Sequence, residues 1–481
     1  MTGAAQKIAP ALRGMLVAAA KCGTRRRHDM NIHRVPEKES SHEYSRLVPE
    51  KMKFPALTEP PLLAADLQAA RARANRITAD LDGERLLGPL LAIVNPPLWE
   101  IGHVAWFHEF WCLRYRNDDE PAPSILNGAD KLYDSAKVAH DTRWHLPLPS
   151  LKQTRDYAND VMERILRRLE NEAENRALQY FIRLVTLHED MHAEAFHYTR
   201  QTLGYADPFA DDRRNAPATA VVPGDTGFSG GRFLLGAHDD GRFVFDNEKW
   251  AHEVDVAPFR MARTAVSNAE YRAFVDIGGY ARREWWSEAG WAWRMKTGVD
   301  APHRWVRHDK TWHLQWFDQT RPLEDAEPVV HVNWHEARAY CRYAKRRLPG
   351  AVEWEFAAAN ESSAARKRHF PWGDNAPTAT NANLEGHAPA AVGAYADGDS
   401  AGGCRQMLGN VWEWTADAFN PYPGFVVDPY KEYSQPWFGT HIELRGGSFA
   451  TPRRLIRNTW RNFYMPERND IFAGFRTCAL D

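Results

Sequence analysis

Apolar residues recur at helical spacing in four segments between Leu62 and Gly204. Two of them, "LLAADLQAARARANRITADL" and "TRDYANDVMERILRRLENEAE", are rich in Ala, Leu, Arg and Glu. The other two are "PLWEIGHVAWFHEFWCLRY", with Pro97 in its first turn, and "ALQYFIRLVTLHEDMHAEAFHYTRQTLG", stopped by Gly204. Four long helices predict an antiparallel bundle over residues 56–204. Residues 205–221, with their Asp, Pro and Ala content, read as a linker. From 222 to 481 the pattern changes to short strand-like runs, "RFLLG", "HEVDVAPFRMA", "PVVHVNW" and "IELRGGSF". Only two helices are predicted there, "NAEYRAFVDIG" and "WHEARAYCRYAKRR", among loops dense in Trp, Gly, Pro and Asn. Such a region is expected to be an irregular α+β domain whose loops house function. Residues 1–55 read as a polar, poorly ordered extension: the apolar run Met15 to Ala20 is too short for a signal peptide, and Lys21 spoils a cleavage site.

Composition narrows the partners. Lys plus Arg (61) nearly balances Asp plus Glu (63), a net charge of −2, so no global field draws the chain to nucleic acid or an anionic membrane. A small neutral or zwitterionic substrate is the expectation. No apolar stretch approaches the ~20 residues of a membrane span; the longest is "LLGPLLAIV", interrupted by glycine and proline. Five scattered cysteines without a Cys-x-x-Cys argue for a reducing compartment, with the cytoplasm as the default, and against a thiolate zinc site.

The chemistry concentrates in "LHEDMHAEAFHYT". His188 and His192 are one helical turn apart, about 40° around the axis, so their rings project side by side and can share one metal ion. They lie on a stripe with Phe181, Leu184, Ala195 and Thr199 that should face the bundle interior. His103 sits in an aromatic stripe with Trp99, Trp106, Phe107 and Phe110 on another helix. Singly, each histidine fits a hydrogen-bonded core residue. Together they make a facial three-nitrogen site with positions left open for substrate and oxygen. A zinc peptidase would use Glu189 as general base, but its extended motif fails, with Ala195 at the glycine and Tyr198 at the last histidine.

Three stretches, "PPLWEIGHVAWFHEF", "HEDMHAE" and "LRGGSFATPRRLIRNTWRNFYMPERNDIFAGFR", resemble the non-heme iron sulfoxide synthases of ergothioneine biosynthesis and the related selenoneine synthases. The resemblance covers about residues 60–481 and extends to "PVVHVNWHEARAYCRYAKRRLPGAVEWEFAAA" and "LGNVWEWTAD". It implies a DinB-like four-helix bundle followed by an α+β domain similar to formylglycine-generating enzyme and related to the C-type lectin fold. It also implies iron(II), Fe(2+), held by His103, His188 and His192. The implied reaction joins a chalcogen to the imidazole carbon of hercynine (Nα-trimethylhistidine) with O₂ as oxidant. Asn462 matches the family's carboxylate-binding asparagine, and Phe463 stands where tryptophan is common.

Departures bear on the donor. Met191 replaces the second glutamine of the sulfur branch's "HEQQH", and Tyr464 replaces an aspartate suited to the amino group of γ-glutamylcysteine. A neutral selenosugar would not miss that charge. The loop "LYDSAKVAHDTRWHLPLPS" is more similar to the selenoneine branch; its Arg143 is either a donor contact or a solvated arginine. Tyr422 and Tyr464 are candidate proton or electron donors, Tyr422 being equally readable as a loop anchor. The expected function is carbon–selenium bond formation on hercynine. The alternatives are a sulfoxide synthase using γ-glutamylcysteine or cysteine, an HExxH zinc hydrolase, and a lectin-like binding module. Formylglycine generation is not expected, because Cys478 lacks a neighbouring cysteine in sequence and Cys341 falls inside a helix.

Overall fold

The computed structural model describes residues 54–116, 120–212, 222–361 and 367–480. The predicted extension 1–55 lies almost wholly outside these, as does most of the predicted linker. The N-terminal part comprises α1 (Pro60–Ile77), α2 (Pro97–Glu109), the short α3 (Ala129–Tyr133), α4 (Leu151–Asn171) and α5 (Arg176–Leu203). Local chemistry sets their ends. Ser150 and Gln153 close a capping box on α4, the Asn175 side chain caps α5, and Gly204 ends α5 at φ 65°, where glycine is unstrained. The second predicted helix, α2, continues through a π-helical turn, Phe110–Arg114.

Helix α4 buries one stripe, including Tyr157, Val161, Ile165 and Leu169, as an outer bundle helix should. Helix α5 is buried on nearly every side, because the bundle covers one face and the second domain covers another. Glu194 accepts hydrogen bonds from Trp412 Nε1 (2.8 Å), Ser448 Oγ (2.6 Å) and Thr451 Oγ1 (2.6 Å). Asp190 pairs with Arg454 at 2.8 Å, and the Gln201 amide donates to the Gln315 carbonyl at 3.1 Å. Phe209, in the predicted linker, is buried.

The second domain contains β1 (Asp225–Phe228), β2 (Gly231–Leu235), β3 (His252–Val256), β4 (Phe259–Ala262), β5 (Trp305–His308), β6 (Thr311–Trp316), β7 (Gln319–Pro322) and β8 (Arg346–Arg347). The remaining strands are β9 (Trp412–Ala418), β10 (Ile442–Arg445), β11 (Asn462–Tyr464), β12 (Ala473–Gly474) and β13 (Cys478–Ala479). Its helices are α6 (Asn268–Asp276), α7 (Glu288–Thr297), α8 (Trp334–Tyr343) and α9 (Ala351–Ala359). Two four-stranded sheets have the orders β1-β4-β13-β8 and β11-β10-β9-β12; β2-β3 and β5-β6-β7 form smaller ones. Trp412 and Trp414 are buried on β9, and Gly446 follows β10 at φ 102°, where a Cβ would meet the Met407 carbonyl at 2.7 Å.

Two expectations are corrected. "PVVHVNW" is no strand: His331 takes a positive φ of 62°, and Val329 and Val332 send their N–H groups to separate partners, Val266 and Ala473. The domain also has two helices beyond the expected pair. Helix α7 carries tryptophans without a clear apolar stripe, and α9 is apolar nearly all round, so periodicity concealed both. The four described cysteines, Cys112, Cys341, Cys404 and Cys478, are free and buried. No described helix is long and apolar enough to cross a membrane.

Buried charge gives this domain a pH signature. Glu336 closes the cap of α8, accepting the Asn333 N–H (2.8 Å) and the Tyr280 hydroxyl (2.5 Å). Burial raises its pKa from 4.5 to about 8. A carboxyl raised on folding contributes stability that is present below the unfolded value and lost as pH rises through the folded one. Between pH 6 and 9 the wild-type melting temperature should therefore fall relative to that of Glu336→Gln; parallel thermal melts of the two proteins check this.

Candidate metal centre

Helices α2 and α5 bring His103, His188 and His192 together, one nitrogen from each lying within 4.8 Å of the others. The Nε2 atoms of His188 and His192 are 3.2 Å apart. Metal–imidazole bonds of about 2.1 Å at right angles would set neighbouring nitrogens about 3 Å apart, so the spacing fits a shared ion. His192 Nδ1 donates to Glu100 Oε1 at 2.5 Å, and His103 Nδ1 donates to the Tyr133 carbonyl at 2.8 Å. Those bonds fix the tautomers and turn both Nε2 lone pairs toward the common point. His188 is held by stacking, its ring 3.7 Å from that of Phe107 and nearly parallel.

Burial pushes the His103 pKa down to about 3 and that of His188 well below the usual value, so both rings are neutral and able to ligate. Trp99 and Phe107 wall the site: Trp99 stacks on His103 at 5.0 Å, and Tyr430 meets Phe107 at 4.8 Å and His188 at 6.0 Å. The His192 side chain keeps 18 % exposure, which leaves the centre one open side. Glu189 turns away from it. The Glu189 carboxylate accepts from Arg71 Nε at 2.6 Å and lies beside His108 at 3.4 Å, facing a cavity of about 60 Å³ between α1, α2 and α4. That position is unsuited to activating water on an ion held by the triad.

Residues 66–196 match the DinB superfamily, and residues 205–480 match the sulfatase-modifying factor enzyme 1-like domain. A hercynine oxygenase from Mycolicibacterium thermoresistibile is 40 % identical over 430 residues, covering 86 % of this chain and 94 % of that protein. The chain belongs to the hercynine oxygenase family. Another hercynine oxygenase, from Mycobacterium tuberculosis, is 38 % identical over 427 residues, covering 87 % of this chain and 99 % of its own. A formylglycine-generating enzyme from Streptomyces coelicolor is 29 % identical over 328 residues, covering 55 % of this chain and 95 % of its own.

In this member of the hercynine oxygenase family Arg143 lies near His103, on the far side of Trp99, and the other predicted site residues are spread over α5, β11 and the loop before β10. Tyr464 and Asn462 share one face of β11, and Tyr464 lies near Tyr198, which follows His192 along α5. Burial raises the Tyr464 pKa to about 12, so its phenol keeps its proton. Asn462 Oδ1 accepts the Phe463 N–H at 2.8 Å. Phe463 points to the opposite face and stacks on Phe419 at 4.1 Å. Met191 is half-buried against the core. Arg143 is not solvated: it is buried, donates to Asn95 Oδ1 (2.6 Å) and the Val138 carbonyl (3.1 Å), and lies 3.9 Å above Trp99. Tyr422 is not brought to the triad; its hydroxyl accepts from Arg445 at 3.2 Å and its ring lies under Arg461, which makes it a loop anchor.

Glu100, Tyr133 and Tyr430 are functional candidates that the sequence reading missed. Glu100 was findable, being three residues before His103 in a largely apolar stretch of the helix. The Tyr133 carbonyl and Tyr430, in the irregular segment before β10, carried no periodic signal.

Proposed function

We propose that the chain is an iron(II)- and O₂-dependent enzyme that oxidises hercynine and joins selenium, delivered as a selenosugar, to its imidazole carbon. The observation that carries this reading is the convergence of His103, His188 and His192 in a chain whose relatives are hercynine oxygenases. Three imidazoles suit iron, and iron(II), when bound, supplies redox chemistry with dioxygen that zinc lacks.

The protein's own part is to hold and orient. Glu100 and the Tyr133 carbonyl aim the ligands, and Trp99, Phe107 and Tyr430 keep bulk water from the ring faces. Tyr430 and Tyr464 are kept protonated by burial, so either phenol can hold or release a proton beside substrate. Selenium over sulfur is supported by two carboxylates near β11, Asp470 and Glu194. Asp470 is tied bidentately to Arg468 (2.6 and 2.7 Å), and Glu194 is consumed by its three donors. Neither is placed to meet the ammonium group of a γ-glutamyl donor, whereas a neutral sugar needs no such partner.

Iron-loaded protein given hercynine, O₂ and either a selenosugar or γ-glutamylcysteine tests the proposal by mass spectrometry. A selenium-bearing hercynine product is expected. A sulfur adduct alone would move the chain to the sulfoxide synthase reading, and no adduct from either donor would overturn both.

A further inference from the structure

Away from the histidine triad, α6, α7 and the β5–β6 hairpin enclose a cleft of about 410 Å³, within the range of small-ligand sites. Trp305 and Trp312 supply its aromatic surface, their rings 5.7 Å apart and inclined at 53°. Asp276, Asp300, Arg294 and Arg307 supply its charges. Among the described residues none of these four forms an ion pair with another, although opposite charges share one cleft. Asp276 accepts the Trp312 indole N–H at 2.9 Å, and Arg307 lies 5.1 Å over the same indole. One wall thus carries an acid and a base around Trp312, and α7 with its following loop carries a second such pair, Arg294 and Asp300.

Two donors in this cleft lack partners. Trp305 is only 7 % exposed and its Nε1 has no hydrogen bond; the buried Nε of Arg294 has none either. Native proteins rarely leave such groups unsatisfied, so unpaired donors buried in the residues that line a cleft mark polar capacity its own structure leaves unused.

The charge pattern disfavours ligands that carry a single sign of charge. A phosphate or carboxylate ligand would meet Asp276 and Asp300, and a cation would meet Arg294 and Arg307. A metal is poorly served, since the triad is the one group of three or more metal-ligating side chains found close together among the described residues. A neutral ligand with alternating hydroxyl donors and acceptors and one apolar face satisfies all the lining groups at once: carboxylates accept, guanidiniums and the indole donate, and the indole faces cover C–H groups. We propose that this cleft binds a monosaccharide-sized carbohydrate, independently of the metal centre.

Ligand-observed saturation-transfer NMR on the full chain tests it with glucose, N-acetylglucosamine and galactose, beside glycine, glutamate and inorganic phosphate. At least one sugar should bind, while the amino acids and phosphate should not. Binding should persist in His192→Ala and weaken at least tenfold in the surface variants Trp312→Ala and Arg307→Ala, whose folding is verified by thermal melts. Absence of sugar binding, preference for an amino acid or phosphate, or sugar binding that survives in both surface variants would each overturn the proposal. Loss in His192→Ala alone would assign the sugar to the metal centre and overturn it too. Because no readout requires turnover, failure here is distinguishable from failure of the proposed reaction.

Discussion

Replacing His192 with alanine is expected to remove bound iron from the protein and abolish hercynine-dependent O₂ uptake while the fold survives. His192 shares the 3.2 Å nitrogen pair with His188 and is the most exposed of the three histidines, so its loss costs little packing. Removing an outer partner of a ligand typically lowers metal affinity 10–100-fold, and loss of a ligand itself should exceed that, by more than about 100-fold. Metal analysis after dialysis should give about one iron per wild-type chain and close to none for His192→Ala. An unchanged melting temperature of the two metal-free proteins would show that the loss is local. Iron retained at the wild-type level in the variant would remove the triad from the account.

The second large effect falls on Glu100. Its carboxylate accepts from His192 Nδ1 at 2.5 Å inside helix α2, where it is 1 % exposed. Oriented carboxylate–histidine pairs fix the ring and raise ligand basicity. Glu100→Gln keeps the shape but replaces a charge-assisted bond by a neutral one, and an amide that presents its NH₂ group would clash with the Nδ1 hydrogen. Iron affinity should fall about 10–100-fold. Excess iron should restore most of the activity in Glu100→Gln but not in His192→Ala. Competition with a metal chelator measures the first effect, and activity against added iron separates the two variants. A purely structural glutamate would lower melting temperature without changing iron affinity.

The triad was legible because helical geometry is regular: a four-residue spacing within one helix and an aromatic stripe on another already pointed inward. The bundle was legible for the same reason. Glu194 and Asp190 show where periodicity stops helping. Both are charged residues on α5, and only the second domain's Trp412, Ser448, Thr451 and Arg454 explain why they are buried. No local pattern encodes a partner more than 200 positions away in the chain. The run "PVVHVNW" misled in the opposite way, since its valines are buried as a strand's would be but its backbone bends at His331. Arg143 and Tyr422 turned on tertiary contacts alone. The first is drawn onto Trp99 and the second beneath Arg461, so neither the solvated reading of Arg143 nor a position for Tyr422 beside the triad survives.

The central claim is that the three histidines hold a redox-active iron whose oxygen chemistry is directed at hercynine. Oxygen consumption by the metal-free protein, reloaded in parallel with iron(II) or zinc and titrated with hercynine in the presence of the selenosugar, tests it most directly. Uptake should require hercynine, saturate with it, appear with iron alone and be absent from iron-treated His192→Ala. Equal uptake without hercynine, or undiminished uptake by His192→Ala, would contradict it.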